Sequence, residues 1–316
     1  WTGIIDWARH KLPARPLLIA VAALGLLLPA GLLAKLHHIQ DRTGDYIPYD
    51  YAYNLLQSCQ PHSLLFTNGD NDTFPVWYMQ EVEGLRRDVR VINLSLLNTG
   101  WYIKQLRDRE PRVDIRYTDT YIDSVLTDTQ QVDILKRYWP EPKQVQVAGI
   151  QWEVRDYSGY DVLRVQDVMV LKILEWTNWK RPIHFAITVP GNNRLGLDEY
   201  LRMEGMTMRL VQEPGLGPDA ERLAHNLFNV YRFRAVNDPD VYKDLNTRRL
   251  LGNYRACILE LGNVYKAQNR RADIIELMRW AEASGPMGWQ GYYTGADLLD
   301  AVGERDMAAR YLEMAT

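Results

Sequence analysis

Hydrophobic and polar positions divide the chain into one long apolar run, a region of short apolar runs, and a final region of helical periodicity. The long run covers residues 17–34, LLIAVAALGLLLPAGLLA, and contains no charged or strongly polar side chain. At a rise of about 1.5 Å per residue, the run with its flanks is long enough to cross a bilayer core. A cleavable signal peptide is the alternative, but its apolar core is usually about 7 to 15 residues long. We therefore predict a transmembrane helix at residues 16–36, in contact with the lipid bilayer.

Charged residues around this run predict its orientation. Only Lys35 follows the run closely, whereas three basic residues precede it: Arg9, Lys11 and Arg15. The positive-inside rule places the side with more Lys and Arg in the cytoplasm. We therefore expect residues 1–15 to form a cytoplasmic or interfacial flank, and the chain from residue 41 onwards to lie outside the cytoplasm. Because the sequence begins with Trp1 rather than Met, we also expect residues upstream of it to be missing.

Between residues 41 and 213 the apolar runs are short enough to be strands. SLLFT at residues 63–67 and VRVINLS at residues 89–95 fit strands, and a helical pattern separates them. One apolar stripe of that helix comprises Phe74, Trp77, Tyr78, Val82 and Leu85. A strand-helix-strand unit of this kind has parallel strands and a right-handed crossover. The pattern predicts an α/β fold, with a doubly wound, mostly parallel sheet as the extracytoplasmic domain at residues 41–213.

Later runs extend this sheet and end in a linker. The predicted elements are a hairpin at residues 144–154, a helix at 165–176, a strand at 182–189, a short helix at 197–204 and a strand at 206–212. The stretch EPGLGP from Glu213 has the composition of a linker. Beyond it only helical patterns occur, with units spaced near the tetratricopeptide period of about 34 residues. We predict an all-α, tetratricopeptide-like tail at residues 219–316, with a plain helical bundle as the alternative.

The densest polar motif, NGDNDTFP, follows the first predicted strand at residues 68–75. Two carboxylates one residue apart, such as Asp70 and Asp72, can share a divalent ion that also holds phosphates. Many nucleotide-sugar transferases use the same spacing. Each carboxylate also has a structural explanation, because Asp72 or Thr73 can cap the next helix and Pro75 fits its first turn. We favour this structural role, and we predict no metal, no cofactor and no catalytic residue here.

A second polar loop follows the next strand, with Asn98 and Trp101 near the start of another predicted helix. In open α/β sheets, the loops at the carboxyl ends of neighbouring parallel strands form the ligand crevice. We therefore expect the two loops to lie side by side and to form a candidate ligand cleft. Its predicted residues are Asn68, Asp70, Asn71, Asp72, Thr73, Asn98 and Trp101.

Composition narrows the classes of function and partner that the chain is expected to have. The formal charge is −3 and the pI is about 6.1, so the chain has no basic field and nucleic acid is not an expected partner. Rings with a polar atom dominate, with 10 Trp and 19 Tyr against 5 Phe, which suits interfaces, glycan stacking or a membrane-water boundary. Cys59 and Cys257 lack metal-site spacing and are predicted to be free buried thiols. We predict that His184 is a hydrogen-bonded histidine within a sheet.

Five blocks of the sequence carry a resemblance to a known family. Two are TGDYIPYDYAYNLLQSC at residues 43–59 and LLFTNGDNDTFPVWYMQEVEGLRRDVRVINLSLLNTGWYIKQL at residues 64–106. The others are RPIHFAITV, LGLDEYLRMEGMTMRLV and NTRRLLGNYR, so the likeness covers about residues 41–255. Together they resemble the C-terminal part of a bacterial family of large polytopic membrane proteins, formerly of unknown function. That family is related to the transmembrane protein O-mannosyltransferases of the GT-C glycosyltransferase superfamily.

The resemblance implies a lipid-linked sugar donor and a catalytic acid in an early extracytoplasmic loop between membrane helices. This sequence contains one predicted span and therefore no such loop. No catalytic residue is carried over, and Asp70 and Asp72 are not the expected catalytic acid of the family. The resemblance implies that the chain is the last membrane helix plus the exported domain of such a protein, or a shortened relative that serves as an accessory subunit.

Two functions are consistent with these patterns. The first is a non-catalytic, membrane-anchored extracytoplasmic binding or scaffolding module, whose expected partners are other subunits of a membrane complex. The second is part of a GT-C-type glycosyltransferase, with a glycan or lipid-linked sugar as its ligand and the catalytic membrane region absent from this chain. Both hypotheses place the chain in a bacterial inner membrane as a single-pass protein, with its bulk in the periplasm.

Overall fold

The first helix, α1 (Ala14–Gln40), coincides with the long apolar run. Within it, Leu18–Gln40 has a mean hydropathy of 2.1, is not buried, and is long and apolar enough to cross a membrane. Pro29 lies inside the helix without ending it. The predicted apolar helix is therefore confirmed, and it extends beyond residues 16–36 at both ends.

The computed structural model describes residues 14–126, 144–154, 163–285 and 287–316. Most of the predicted flank at residues 1–15 lies outside the described residues. One compact unit contains the described part of Trp1–Asp45 together with Asp238–Lys243. Within this unit the ring of Tyr242 meets the ring of His38 edge to face, with 6.2 Å between the centroids. The other unit contains Tyr46–Asn237 and Asp244–Thr316.

The second unit is built from strands and helices in the order predicted for an α/β fold with a helical tail. Its strands are β1 (Leu64–Thr67), β2 (Arg90–Asn93), β3 (Gln144–Val147), β4 (Ile150–Glu153), β5 (Ile183–Ala186), β6 (Leu201–Met203) and β7 (Thr207–Leu210). Its main helices are α2 (Ile47–Gln57), α3 (Asp70–Glu81), α4 (Gly100–Asp108), α5 (Val165–Thr177), α6 (Ala220–His225), α7 (Leu245–Ala267), α8 (Arg271–Ser284), α9 (Gly288–Ala301) and α10 (Arg305–Ala315). Short helical turns lie at Leu96–Asn98, Asp119–Tyr121, Ile122–Leu126, Gly191–Asn193, Leu197–Tyr200 and Asn226–Val230.

The main sheet has the strand order β2-β1-β5-β7-β6. β1 is parallel to both β2 and β5, whereas β7 is antiparallel to β5 and to β6. Every residue of β1 and β5 is buried, as expected for central strands covered on both faces. The chain moves from β1 through α3 to β2 and then returns past β1 to β5, so right-handed crossovers put α3 and α5 on opposite faces. The predicted doubly wound, mostly parallel sheet is confirmed, with β7 and β6 added antiparallel.

The strand β6 replaces the end of the helix predicted at residues 197–204. Leu201–Met203 pairs with β7 through a tight connection at residues 204–206. Gly205 in that connection has a φ of 144°, and a Cβ atom there would lie 2.1 Å from the hydroxyl oxygen of Tyr231. Only glycine permits this approach. The prediction was wrong because strand pairing across the glycine outweighs the local helical pattern.

A separate hairpin of β3 and β4 confirms the hairpin predicted at residues 144–154. Its turn is Ala148-Gly149, with φ values of 49° and 84°. Two positive φ values match the twist of a two-residue hairpin. The indole N–H of Trp152 donates to the carbonyl of Leu195 at 2.9 Å, and the indole N–H of Trp179 donates to the carbonyl of Ala148 at 2.6 Å. These two bonds hold the hairpin to the segments that flank β5.

Helix α2 buries a line of polar side chains spaced four residues apart. The line consists of Asp50, Asn54 and Ser58. Asp50 accepts from the backbone N–H of Arg234 at 2.8 Å and from its guanidinium at 2.6 Å. Asn54 bonds both the N–H and the carbonyl of Arg232 at 2.8 Å, and Ser58 shares a hydrogen bond of 2.5 Å with the hydroxyl of Tyr231. The helix thereby holds the extended segment at residues 231–234 along its length.

The C-terminal helices join the same unit through α7. The ring of Tyr254 lies 6.0 Å from that of Tyr51 on α2, and its hydroxyl accepts from the side-chain amide of Asn54 at 2.7 Å. Farther along, the hydroxyl of Tyr311 on α10 donates to the carbonyl of Met278 on α8 at 2.7 Å. The predicted helical tail is confirmed as helical. Its tetratricopeptide-like character and the predicted domain limits, 41–213 and 219–316, stay predictions.

Candidate functional site

The loop after β1 contacts the end of β2 and the residues just after it, at the carboxyl edge of the parallel strands. Asn68 follows β1, and its carbonyl accepts from the hydroxyl of Ser95, which follows β2, at 3.2 Å. The side-chain amide of Asn93 donates to the hydroxyl of Thr73 at 2.8 Å. Because the strand order reverses beside β1, this edge is the topological switch point, where open α/β sheets usually bind ligands.

Internal hydrogen bonds close this edge. The side-chain oxygen of Asn68 accepts from Asn193 at 2.5 Å, and the hydroxyls of Thr67 and Thr73 share a bond of 2.9 Å. The side-chain oxygen of Asn98 accepts from the backbone N–H of Gln166 in the first turn of α5, at 3.0 Å. Asn68, Thr73 and Asn98 therefore bond other groups of the protein, whereas Asp70 and Asn71 are exposed.

The start of α3 differs from the prediction. The helix begins at Asp70, and its N-cap is Gly69, which makes no side-chain capping bond. Asp72 is the third helical residue, Thr73 donates its hydroxyl to the carbonyl of Gly69 at 2.8 Å, and Pro75 lies in the second turn. The predictions that Asp72 or Thr73 caps the helix, and that Pro75 lies in its first turn, were wrong. Asp72 does not cap the helix because its carboxylate accepts from the hydroxyls of Tyr51 and Thr188 instead.

Asp72 is buried in a network of hydroxyl groups. Its carboxylate accepts from the hydroxyl of Tyr51 at 3.1 Å and from the hydroxyl of Thr188, which follows β5. The side-chain amide of Asn253 on α7 donates to Tyr51 at 3.2 Å. Burial raises the pKa of Asp72 above its ordinary value, although both hydroxyl bonds oppose that shift. The network connects α2, α3, β5 and α7.

The carboxylates of Asp70 and Asp72 do not form a joint site. Asp70 is exposed whereas Asp72 is buried, and residues two apart on a helix face different directions. In the part of the chain that the structure describes, no group of three or more His, Cys, Asp or Glu side chains could hold a metal ion. The arrangement of Asp72 is that of an internal hydrogen-bond acceptor.

An open cleft lies beyond β2, at the edge of the sheet, between α3 and α4. It has a volume of about 640 Å³. From the predicted set it contains Trp101, which is 58% exposed. The facing side chain on α3 is Trp77, which is half-buried. Its lining also includes Gln80, Glu81, Arg87, Val89, Arg90, Val91, Tyr102, Gln105, Arg109, Glu110 and Pro111.

The floor of this cleft blocks the free edge of β2. The hydroxyl of Tyr102 accepts from the N–H of Asn93 at 2.9 Å and donates to the carbonyl of Val91 at 3.4 Å. The side-chain amide of Gln80 donates to the carbonyl of Val89 at 2.8 Å. Side chains therefore occupy positions that a neighbouring strand would use. A ligand in this cleft meets side chains rather than an open strand edge.

Two arginines of the cleft donate hydrogen bonds to backbone carbonyl groups. Arg87 donates to the carbonyl of Gln80 at 2.8 Å, and Arg90 donates to the carbonyls of Gln105 at 3.1 Å and Glu110 at 3.4 Å. Burial lowers the pKa of Arg90. These bonds to carbonyl groups stiffen the walls of the cleft, although the buried Nε atom of Arg90 has no hydrogen-bond partner. Glu81, Arg109 and Glu110 put both signs of charge at the exposed rim.

The predicted stripe of α3 faces solvent. Phe74 is 55%, Tyr78 47% and Val82 67% exposed. The buried residues of α3 are Asp72, Thr73, Val76, Met79 and Gln80. An apolar stripe usually marks the core side of a helix, but the buried side of α3 includes short polar residues that bond distant loops, and hydrophobicity alone does not reveal such partners. The aromatic spacing of the stripe was the signal that could have identified Trp77 as a cleft residue.

The family follows from comparison with known proteins. A family described as TMEM260-associated domain 2 matches residues 48–128 and 124–214, which together cover more than half of the chain. The chain belongs to the TMEM260-associated domain 2 family. The matched region runs from the start of α2 to beyond β7, and it contains all seven predicted cleft residues as well as Trp77. No curated protein and no solved structure matches the chain.

A buried histidine lies in the sheet of this TMEM260-associated domain 2 chain. The Nδ1 atom of His184 lies 3.0 Å from the hydroxyl of Thr207, and its Nε2 accepts from the N–H of Gln60 at 3.3 Å. The prediction of a hydrogen-bonded sheet histidine is confirmed. Burial, with the positive charges of Arg209 and Arg222, lowers the pKa of His184 from 6.5 to about 3. His184 is therefore neutral in the folded protein at neutral pH.

We predict that His184 makes the protein less stable in acid. Below pH 6.5 the His184 side chain is protonated in the unfolded chain, whereas in the folded chain it is protonated only below about pH 3. The free energy of unfolding should therefore fall as the pH drops through this window, by up to about 1.4 kcal/mol per pH unit. Urea unfolding in neutral detergent at pH 7.5 and pH 5 measures this for the parent and for His184→Asn. Equal losses in the two proteins would contradict the assignment.

We also predict that Asp72 acts as a structural acceptor and not as a metal ligand. Asp72→Ala leaves the hydroxyls of Tyr51 and Thr188 without an acceptor, which should cost about 1 to 3 kcal/mol. Asp72→Asn keeps an acceptor without the buried charge, so its loss should be smaller. Thermal melts with and without Mg²⁺ or Mn²⁺ test this, with the exposed Asp70→Asn as the matched control. A metal-dependent rise in the parent that vanishes in Asp72→Asn would reverse the conclusion.

Proposed function

We propose that this chain is a membrane-anchored, extracytoplasmic binding module that holds its partner in the cleft between Trp77 and Trp101. One observation carries the proposal. The polar edge at the switch point is closed by its own hydrogen bonds, whereas the cleft at β2 is open and presents two indole rings. The partner that fits such a binding module is another subunit of a membrane complex.

The chemistry of the cleft supports a protein partner. Trp, Tyr and Arg are the residue types that contribute most to binding energy at protein interfaces, and the lining combines Trp77, Trp101 and Tyr102 with three arginines. A volume of about 640 Å³ lies within the usual range of ligand pockets. The bonds from Arg87 and Arg90 to backbone carbonyls hold the walls in place before a partner arrives, which lowers the entropic cost of binding.

The binding test is a photo-crosslink from the cleft. Replacing Trp101 with p-benzoylphenylalanine keeps an aromatic ring there, and irradiation of native membranes should give one discrete protein adduct. Adding Trp77→Ala should reduce that adduct at least several-fold, and because Trp77 is half-buried, the melting temperature of the variant is measured alongside to separate lost binding from lost stability. The matched control carries the crosslinker at Tyr293, an exposed aromatic on α9. The same adduct from position 293, or no response to Trp77→Ala, would reject the cleft.

Anchoring through α1 is the second part of the proposal. The basic residues on the N-terminal side of the apolar run favour an orientation with residues 41–316 outside the cytoplasm. In a bacterium this corresponds to an inner-membrane protein with a periplasmic bulk.

Cysteine labelling measures the orientation. The native thiols of Cys59 and Cys257 are buried, and burial raises the pKa of each to about 12, so a maleimide should leave the parent unlabelled. Leu312→Cys adds an exposed thiol on α10. An impermeant maleimide should label this variant while the inner membrane is intact. Labelling only after the inner membrane is breached would show the opposite orientation.

A second candidate function is part of a GT-C-type glycosyltransferase that uses a lipid-linked sugar. The observation that favours it is the link of the matched family to TMEM260 by name, together with the resemblance to membrane O-mannosyltransferase relatives. On this hypothesis the cleft recognises an acceptor or a glycan for a catalytic membrane region elsewhere. The gene upstream of Trp1 separates the candidates. Many further hydrophobic spans with an acidic first loop favour the transferase, whereas a start codon close to Trp1 rejects it.

A further inference from the structure

The outward side of α3 carries an apolar line that stays exposed in the described structure, although the ring of Phe74 lies 5.7 Å from that of Trp77. Phe74, Tyr78 and Val82 follow one another at intervals of four residues, and all three are exposed. A helix on the surface of a soluble domain normally presents polar residues on this side. Contiguous exposed apolar patches mark surfaces that meet another molecule or a membrane.

Tyrosines continue this line onto α2. The ring of Tyr78 lies 6.4 Å from that of Tyr49, and Tyr49 lies 6.5 Å from Tyr46, which is itself exposed. We call the whole set the aromatic face; it consists of Tyr46, Tyr49, Phe74, Tyr78 and Val82. It begins at the first residue of its unit and extends along α3, next to the cleft but distinct from it.

The covalent chain relates this face to the membrane helix. Only residues 41–45 separate Gln40, the last residue of α1, from Tyr46. Fully extended, that connection spans at most about 20 Å. With α1 in a bilayer, the start of the aromatic face therefore cannot be far from the lipid headgroups.

The chemistry of the face matches the interface of a neutral bilayer. Tyr rings are amphipathic and are enriched where headgroups meet water. The hydroxyls of Tyr49 and Tyr78 both donate to Glu83, at 3.4 Å and 3.0 Å. The guanidinium of Arg234 lies over the rings of Tyr46 and Tyr49, 4.2 Å and 5.2 Å from their centroids. The face therefore presents one acidic and one basic side chain, so zwitterionic headgroups match it better than anionic ones.

We propose that the aromatic face lies in the headgroup region of the bilayer that α1 anchors. The proposal rests on the membrane anchoring stated under the proposed function, and it adds a second lipid contact made by the folded unit. It commits to lipid rather than to a protein partner because the face starts where the connection to α1 ends. The contact leaves the Trp77–Trp101 cleft available to its own partner.

Spin labels test this contact in the full chain. Phe74→Cys, Tyr78→Cys and Val82→Cys each add one reactive thiol, because both native thiols are buried. Leu216→Cys and Tyr293→Cys are matched exposed controls, and Leu26→Cys reports on α1 itself. In phosphatidylcholine nanodiscs, power saturation compares each label's accessibility to oxygen, which enters lipid, and to a water-soluble nickel chelate.

We expect the labels at 74, 78 and 82 to favour oxygen over nickel several-fold relative to both controls. Adding anionic lipid should not strengthen this preference. If the label at 26 reports lipid while the three report water, the aromatic face is not at the membrane and only this inference fails. Shielding of the three from both reagents indicates a protein cover and also overturns it. If the label at 26 reports water, anchoring by α1 fails and this inference fails with it.

Discussion

The folded unit depends on the polar line that α2 buries. Asp50, Asn54 and Ser58 bind the segment at residues 231–234, which connects the sheet to the C-terminal helices. Isolated buried polar groups cost free energy, whereas paired groups fix one arrangement, because removing either partner leaves the other unsatisfied. The ion pair between Asp50 and Arg234 follows the same rule, since a buried carboxylate without its cation is strongly unfavourable. One helix thus positions both halves of the unit.

The same logic explains why the sheet has two different edges. At the carboxyl ends of β1, β2 and β5, short polar side chains reach one another, and their hydrogen bonds fill the crevice where a ligand would bind. At the outer side of β2, larger side chains meet instead. Tyr102 and Gln80 bond the strand, and the indoles of Trp77 and Trp101 line the cleft that remains. Open space appears where the side chains are bulky and aromatic.

Much of the architecture could be predicted from the sequence. Compact aliphatic runs indicated β1 and β2, the helix between them required parallel pairing, and Ala148-Gly149 indicated a hairpin turn. The face and first residue of α3 could not be predicted in this way. They depend on Asp72 meeting Tyr51 and Thr188, and on Thr73 meeting Asn93, and these partners are distant in sequence. Hydrophobic periodicity indicates which residues contact the core. It does not indicate the hydrogen bonds that bury a polar side of a helix.

The two buried cysteines have a consequence for the thiol chemistry of the chain under the extracytoplasmic location proposed above. Cys257 is held against the carbonyl of Gly205, and Cys59 is enclosed at the end of α2. With a pKa near 12 for each, almost no thiolate exists at neutral pH, and thiolate is the species that oxidants and other thiols attack. Before folding, both sulfurs are accessible. Folding itself therefore protects these thiols, and in an oxidising compartment the chain could form non-native disulfides only until its sheet and α7 come together.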